Sequence, residues 1–410
     1  MLSFATKEVL LSEAKNTHMT HLEDSVIYGG VDGTRQAINA LRELRNMLQG
    51  KTSGSLSVKW DGAPAIFAGI DPSDGKFFVA KKGIFNKNPK VYKTKADVDA
   101  DTSGDLQDKL NAALEELPAL GIKGVIQGDF LFGPGDLTKQ KIEGVPYVTF
   151  HPNTIVYAVP TDQARELLNA RIGIVWHTSY SGDSFENMTA SYGVNVAGLR
   201  KTRKVWSQDA MLRDVSVATM SETETKAVDG YLSQAGKLFQ KISSSTLREL
   251  GDKPELQRLI EQYNNTFVRK GELIPDSRRH AVGLQKWITA RFKTEKDKRS
   301  STQGKKAQDK KMNEMMSFFS KQNTMGLISM FELQKNLVNA KLILINKLNT
   351  LSTIDTFVQT RRGYEVTGQE GFVAIDKLGG DAVKLVDRME FSYNNFSPEI
   401  LKGWDKPSRN

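Results

Sequence analysis

The sequence SLSVKWDGAPAIFAG, residues 55–69, predicts a strand that ends in a lysine. Polar residues at 55, 57 and 59 alternate with apolar residues at 56, 58 and 60, which is typical of a strand with one buried face. Lys59 therefore lies on the polar face, Asp61 follows on the same face, and Gly62 allows backbone to approach a ligand closely. A lysine is normally protonated at neutral pH, with a usual pKa of ~10.4, so it attacks an electrophile only when desolvated or placed beside other cations. We expect Lys59 to be a nucleophile and Asp61 to take up a proton or to orient a metal-bound phosphate.

Length and composition narrow the possible classes of protein. The chain has 410 residues and a mass of 45.6 kDa, enough for two or three domains. Its net charge of +9 and pI near 9.3 favour a polyanionic partner. The lack of cysteine excludes disulfides and thiolate metal sites. The sequence shows neither a signal-peptide pattern nor an apolar run of membrane-spanning length, so we expect a cytoplasmic protein, in the host cytoplasm if it is phage-encoded, with no membrane partner. It leaves the oligomeric state open.

Periodicity predicts mainly strands before about residue 206 and helices after it. The principal expected strands are at 125–132, 147–150, 154–159 and 172–176, and the later helices are at 222–250, 254–269, 279–293 and 310–348. Between these helices, the cation-rich linker at 293–306 is expected to be mobile.

This pattern predicts an α+β fold in three parts. They are an N-terminal helical element at 1–50, a β-rich domain built from 51–206 and 351–410, and a helical insertion at 207–350. The lysines of the insertion are candidates for contacts with nucleic acid.

Acidic residues and histidines cluster near the start of the chain. His18, His21, Glu23 and Asp24 are residue types that bind metals. No second cluster completes a ligand shell, so the sequence favours local hydrogen bonding or helix capping for these residues over a metal site.

Three short motifs in the first half of the chain resemble those of one superfamily. Lys59-x-Asp61-Gly62 resembles the first motif of the covalent nucleotidyltransferases, which include ATP-dependent DNA and RNA ligases and mRNA capping enzymes. Lys82 followed by glycine resembles the second motif, where relatives commonly carry arginine. Gln127-Gly128-Asp129 resembles the third, although relatives usually have glutamate in place of Asp129. Strand alternation puts residues 127 and 129 on one face, so Asp129 can point toward a site.

Two further motifs follow in the family order. Glu370-Gly-Phe-Val resembles the fourth motif, and Lys384 lies where the fifth has a lysine. Glu143-Gly-Val is a competing match for the fourth motif, but no suitable lysine-bearing strand follows it. Tyr157 occupies the position of the aromatic residue that stacks on the purine in relatives, and a core position is the alternative. The chain departs from the family pattern at Pro64, where ligases often have arginine, at Asp129, and in having a single lysine in the fifth motif.

The resemblance implies a ligase-type nucleotidyltransferase fold, with antiparallel sheets forming a nucleotide cleft, and ATP and Mg²⁺ as cofactors. It implies these roles: catalysis by Lys59, Asp61 and Lys384; nucleotide binding by Lys59, Gly62, Lys82, Asp129, Tyr157, Glu370 and Lys384; and metal binding by Asp129 and Glu370. The implied function is an ATP-dependent polynucleotide ligase acting on DNA or RNA ends or nicks. The alternatives are a capping-type guanylyltransferase that uses GTP, and a non-catalytic nucleic-acid-binding or phage structural protein with a degenerate fold of this type.

Overall fold

The α+β class expected from the sequence is confirmed by a computed structural model, in which helices pack against largely antiparallel sheets. The structure describes residues 21–52, 55–212, 215, 218–274, 276–351, 354–375 and 382–404. His18 and the turn expected after strand 371–375 lie outside the described residues.

The strands form three sheets. They are β1 (Ser55–Lys59), β2 (Ala65–Ile70), β3 (Phe77–Ala80), β4 (Val125–Phe132), β5 (Thr138–Ile142), β6 (Val145–Phe150), β7 (Ile155–Pro160), β8 (Ile172–Ser181), β9 (Thr189–Tyr192), β10 (Val205–Asp209), β11 (Met211–Leu212), β12 (Asp355–Thr360), β13 (Gly363–Val366), β14 (Gly371–Ile375), β15 (Ala382–Leu385) and β16 (Ile400–Leu401).

The smallest sheet, which we call the lysine sheet, has the order β11-β1-β14-β15. Lys59 pairs with Gly371, and Val373 pairs with both Ser57 and Lys384. Directly paired residues share a face of a sheet, so Ser57, Val373 and Lys384 lie on one face. Lys59 is two residues after Ser57 in β1 and therefore lies on that face too. The opposite face is apolar and packs into the helical core through Leu56, Phe372 and Leu385.

Two six-stranded sheets make up the rest of the β structure. One has the order β10-β8-β4-β2-β3 with β9 beside β8, and the other has the order β13-β12-β7-β6-β5 with β16 beside β12. The β10–β8 pair is parallel, whereas the other described pairs in these two sheets are antiparallel.

The helices follow the same chain order. They are α1 (Ser25–Tyr28), α2 (Gly30–Met47), α3 (Lys95–Asp101), α4 (Gly104–Glu116), α5 (Arg165–Asn169), α6 (Glu222–Lys241), α7 (Ser244–Gly251), α8 (Pro254–Val268), α9 (Ser277–Asp297), α10 (Thr302–Met316), α11 (Lys321–Asn349) and α12 (Arg388–Phe396). Within the described ranges, none of them combines the length and the apolar character that crossing a bilayer would need.

One apolar core joins the N-terminal helices to the later helical block. Leu41 of α2, Leu232 of α6, Leu284 of α9 and Leu337 of α11 are buried in this core. The side chains of α2 that enter it recur every three or four residues, as the sequence predicts for an amphipathic helix. The apolar face of the lysine sheet therefore packs against the helical block.

Serine caps break two of the helices that the sequence predicts as continuous. The helix expected at 222–250 ends at Lys241, and Ser243 caps the next helix by accepting a hydrogen bond from the Thr246 amide. The helix expected at 310–348 is interrupted in the same way by Ser320, which accepts from the Asn323 amide. A serine at such a position satisfies an amide that the first turn leaves unpaired, so it favours a new helix start.

The linker expected at 293–306 is mostly helical. Helix α9 continues to Asp297, and α10 begins at Thr302 after its cap, Ser301, accepts from the Gly304 amide. The ion pair between Lys296 and Asp309, at 2.7 Å, joins the two helices. The structure therefore places most of these residues in two helices joined by an ion pair rather than in an irregular linker.

Three buried charged side chains, Glu23, Asp24 and Lys341, meet the partly buried Arg388 where the N-terminal segment packs against α11 and α12. Lys341 lies 2.7 Å from Glu23, and Arg388 lies 3.0 Å from Asp24. Burial raises the pKa of Glu23, but Lys341 and the other neighbouring charges outweigh burial and lower this pKa to about 2. Glu23 and Asp24 therefore make long-range ion pairs, which corrects the local capping role favoured by the sequence.

Substituting Lys341 tests the strength of this buried pair. We expect Lys341→Met to lower the free energy of unfolding by about 3–5 kcal/mol, because the substitution leaves the Glu23 charge buried without its main partner. Chemical denaturation measures this change. Lys321→Met, at an exposed position of the same helix, is the control and should change stability by less than ~0.5 kcal/mol. A double variant with Glu23→Gln should regain part of the loss, and equal stability of the two single variants would contradict the expectation.

Candidate functional site

Lys59 is the last residue of β1 and forms an ion pair with Glu370. Glu370 immediately precedes β14, the strand that is hydrogen-bonded to β1. The Glu370 side chain is 10% exposed and that of Lys59 is 31% exposed, so the pair lies at the margin between core and solvent. The competing residue Glu143 lies instead in the exposed turn between β5 and β6.

Lys384 supplies a second cation to the same face. Burial lowers the pKa of Lys384, and the charge of Lys59 acts in the same direction. Its Nζ lies 5.2 Å from the centre of the Phe391 ring, a cation–π contact that favours the charged form. The structure thus brings together Lys59, Glu370 and Lys384, which the sequence places in three separate segments.

The Glu370 carboxyl titrates near neutrality. Burial raises the pKa of Glu370 to about 7, and the charge of Asp61 raises it further, whereas Lys59 and Lys384 oppose the shift. A carboxyl group with such a pKa exchanges a proton readily at neutral pH. Glu370 is therefore suited to exchange a proton with the amine it contacts.

Asp61 is buried, and both of its carboxylate oxygens accept hydrogen bonds. Its Oδ1 accepts a hydrogen bond from Asn153 Nδ2 at 2.6 Å, and its Oδ2 accepts from the amides of Thr154 and Ile155 at 2.6 and 2.8 Å. Burial raises the pKa of Asp61, and these three donors oppose the shift. Asp61 thus fixes the segment before β7, and its expected catalytic role stays a prediction.

Three motif glycines allow strands to pack closely. A Cβ at Gly62 would lie 2.6 Å from Asp129 Cβ, and a Cβ at Gly371 would lie 2.5 Å from the Leu385 carbonyl oxygen. A Cβ at Gly128 would lie 2.2 Å from a carbonyl oxygen of β8. The close approach expected at Gly62 is therefore made to β4 rather than to a ligand, and it brings Asp129 beside the end of the lysine strand.

A cleft of about 160 Å³ lies between the lysine sheet and the sheet that contains β4 and β8. Lys59 and Val373 line one wall, and Asp129 and His177 line the other. Asp129 and Gln127 share the face of β4 opposite the buried Phe130, as alternation predicts. His177 Nε2 lies 3.5 Å from Asp129 Oδ2. His177 lines the cleft although its sequence position does not point to a site, because only the pairing of β8 with β4 places it beside Asp129.

Tyr157 is fully buried and cannot stack on a purine in this structure. Its ring lies between those of Phe150, at 5.3 Å, and Trp60, at 5.0 Å, and its hydroxyl accepts a hydrogen bond from the Asp61 amide at 2.7 Å. The expected purine contact at Tyr157 is therefore corrected to a core position. The aromatic side chains that line the cleft are Trp60 and Tyr192.

The predictions for Lys82 and for a metal site concern the edge of the cleft. Lys82 is exposed at the start of a 3₁₀ turn after β3 and does not line the cleft. Among the residues that the structure describes, no three or more His, Asp or Glu side chains form a group able to hold a metal ion by themselves. A Mg²⁺ that arrives with a nucleotide needs only one or two protein carboxylates in addition to the phosphate oxygens. Asp129 and Glu370 are the carboxylates that the sequence predicts for this purpose.

Comparison with known families assigns the chain to a group defined by sequence. Residues 16–400 match the family described as a family of unknown function, DUF6267. The chain belongs to this family. The DUF6267 match includes the whole site, from Lys59 to Lys384. No curated protein and no solved structure matches the chain.

Substituting Asp61 tests its structural role. We expect Asp61→Asn to lower the free energy of unfolding by about 2–4 kcal/mol, because an amide group cannot accept all three hydrogen bonds and leaves a buried donor unpaired. Urea denaturation measures the change, with Asp162→Asn at an exposed turn as the control. Loss of nucleotide chemistry without loss of stability would instead support a catalytic Asp61.

Proposed function

We propose that this protein is a covalent nucleotidyltransferase that forms a lysyl-AMP intermediate on Lys59 and joins polynucleotide ends. The observation that supports this most directly is the contact between Lys59 and Glu370, with Lys384 on the same sheet face, at the wall of a cleft. The family resemblance of the five motifs assigns a nucleophile, an acid and a cation to these same three residues.

The proton of the nucleophile has an acceptor within contact distance. Lys59 must lose a proton before its nitrogen lone pair can attack phosphorus, and Glu370 is the carboxylate that the amine touches. In the proposed step, the nitrogen forms a bond to the α-phosphorus of ATP while the bond from that phosphorus to the pyrophosphate oxygen breaks. Pyrophosphate leaves with the bonding electron pair. One ammonium proton passes to Glu370 before the attack, and the second, which the nitrogen loses once the P–N bond has formed, leaves to solvent.

Lys384 provides charge stabilisation for the same step. Its ammonium group belongs to the face that carries Lys59. A fixed cation aimed at a phosphoryl group whose oxygens gain charge stabilises the transition state more than the ground state. Lys384 is therefore assigned to the α-phosphate.

One acidic residue of the cleft fits a nucleotide-borne metal. Asp129 lines the cleft and would hold the Mg²⁺, which when bound neutralises phosphate charge, whereas the Glu370 carboxylate is engaged by Lys59 outside the cleft lining. A cleft of about 160 Å³ is smaller than the 300–1,000 Å³ typical of small-molecule sites. ATP would therefore extend beyond the cleft, and the incoming base would meet Trp60 and Tyr192 rather than Tyr157.

The second and third steps use the polynucleotide. The AMP group passes from Lys59 to a terminal 5′-phosphate, where a new phosphoanhydride bond forms as the P–N bond breaks. A 3′-hydroxyl then attacks that 5′-phosphate, and AMP leaves as the strand is sealed. The protein's contribution to both steps is positioning and positive charge.

Covalent labelling tests the first step. After incubation with Mg²⁺ and ATP labelled at the α-phosphate, the denatured wild-type protein should retain label, whereas protein incubated with γ-labelled ATP should not. Lys59→Ala should retain none. Lys384→Met keeps the nucleophile and should label at least ten-fold more slowly, because it lacks the charge that stabilises the transition state.

The same assay separates the alternatives. Stronger labelling by α-labelled GTP would favour a capping-type enzyme, and sealing assays on nicked DNA and nicked RNA would identify the substrate of a ligase. A wild-type protein that binds nucleic acid but takes no label from either nucleotide would disprove the proposal and favour the non-catalytic alternative.

The pH dependence of labelling tests the role of Glu370. Only the ionised carboxylate can accept the lysine proton, so the rate should rise as the pH increases through about 7, the pKa of Glu370. Glu370→Gln should label slowly and should lack this inflection. An unchanged inflection near pH 7 in the variant would assign it to another group.

A further inference from the structure

The positive charge of the protein is concentrated in one pair of helices. Residues 277–316, which form α9, α10 and the short link between them, contain twelve Lys and Arg and four Asp and Glu. This basic hairpin therefore carries a formal charge of +8, whereas the whole chain carries +9. The other 370 residues together are almost neutral. Such an asymmetry marks the hairpin as the part of the molecule that attracts polyanions.

Most of these cations are not neutralised by the protein itself. Within the hairpin, which the structure describes in full, Lys296 pairs with Asp309 and Lys298 pairs with Glu295. The other Lys and Arg side chains of the hairpin form no ion pair with described residues. Arg278, Arg279, Lys286, Arg291, Lys293, Arg299, Lys305, Lys306, Lys310 and Lys311 are all exposed.

The exposed cations are aligned along the helices. Arg279, Lys286 and Lys293 are seven residues apart, so they recur on one face of α9 every two turns, about 10 Å apart. Lys306 and Lys310 are four residues apart and share a face of α10. These positions form a row of charges on a rigid support rather than a cluster on a loop.

The apolar side of the hairpin is not available for insertion into a membrane. A helix that binds a bilayer inserts its apolar face between the lipids. In α9 that face is formed by Ala281, Leu284, Ile288 and Phe292, and all four are buried in the helical core. Only the charged side of α9 remains for a partner.

The hairpin also lacks aromatic surfaces for unpaired bases. Proteins that hold single strands combine cations with aromatic rings on which bases stack. Phe292 is buried, and Trp287 is half-buried with the Arg291 guanidinium 5.3 Å from its ring. The available contacts are therefore with phosphates. We propose that the basic hairpin binds the phosphate backbone of a nucleic-acid duplex without reading its sequence.

If the proposed function holds, the duplex bound by the hairpin is the polynucleotide substrate. Binding of the duplex itself follows from charge and exposure.

The salt dependence of duplex binding tests the inference. The test variant carries Lys286→Gln, Lys293→Gln, Lys306→Gln and Lys310→Gln. Each phosphate contact contributes about 0.9 to the slope of log K against log salt concentration, so the slope should decrease in magnitude by about three to four. Affinity for a short duplex at a fixed moderate salt concentration should fall at least ten-fold, measured by fluorescence anisotropy.

The matched control removes the same charge elsewhere. Lys87, Lys123, Lys139 and Lys141 are also exposed and make no ion pair in the described structure, and their change to Gln lowers the net charge equally. This control should keep the wild-type slope, and both variants should unfold at wild-type temperatures. Equal slopes in the two variants would overturn the inference, as would stronger binding to a single strand of the same sequence or to anionic phosphatidylserine vesicles.

The outcomes distinguish the two proposals. The hairpin variant should still take label from α-labelled ATP at the wild-type rate, and Lys59→Ala should still bind duplex with the wild-type slope. Duplex binding without labelling would support the hairpin and disprove the lysyl-AMP intermediate. Labelling with no difference between the hairpin and control variants would disprove the hairpin and leave the chemistry standing.

Discussion

The ion pair between Lys59 and Glu370 joins residues 311 positions apart in the chain, and its geometry depends on the pairing of β1 with β14. Strand β1 is held on both edges and on one face. Hydrogen bonds connect it to β11 and β14, and its apolar side chains enter the helical core. The amine is therefore presented on the one remaining face, toward Asp129 and His177. A rigid support of this kind is what a reactive side chain requires.

The buried ion pairs beneath the lysine sheet fix the relative orientation of the segments they join more than they increase the free energy of unfolding. An interior ion pair costs desolvation energy that its Coulombic attraction barely offsets, but a half-broken pair is strongly unfavourable. Glu23, Lys341 and Arg388 therefore permit one alignment of the N-terminal segment, α11 and α12. Because α12 follows directly after β15, that alignment also fixes the strand that carries Lys384. The helical block thus positions the cleft without lining it.

The sequence identified the strands of the site because their signals are local. Alternation at residues 55–59 and 125–132 correctly assigned the faces of Lys59 and Asp129. It failed at Tyr157, because a strand with both faces buried gives no indication of which partner covers each face. The hydrogen bond from the Asp61 amide to the Tyr157 hydroxyl is a contact between distant segments, and so is the proximity of His177 to Asp129. Such contacts follow from strand register, which the local pattern does not contain. The helix breaks at Ser243 and Ser320 were within reach of the sequence, since serine followed by a helical run is a known start signal.

The pairing of β1 with β14 also determines when the site can form during synthesis. A ribosome adds about 5–20 residues per second, so roughly 15–60 s separate the emergence of Lys59 from that of Glu370. During that interval β1 can pair with β11, but its other edge has no partner from its own chain. An open strand edge is a template for pairing with other chains. During this period the open edge of β1, the strand that carries Lys59, is a site at which the nascent protein can aggregate. Rapid completion of translation or protection by a chaperone would favour the native sheet.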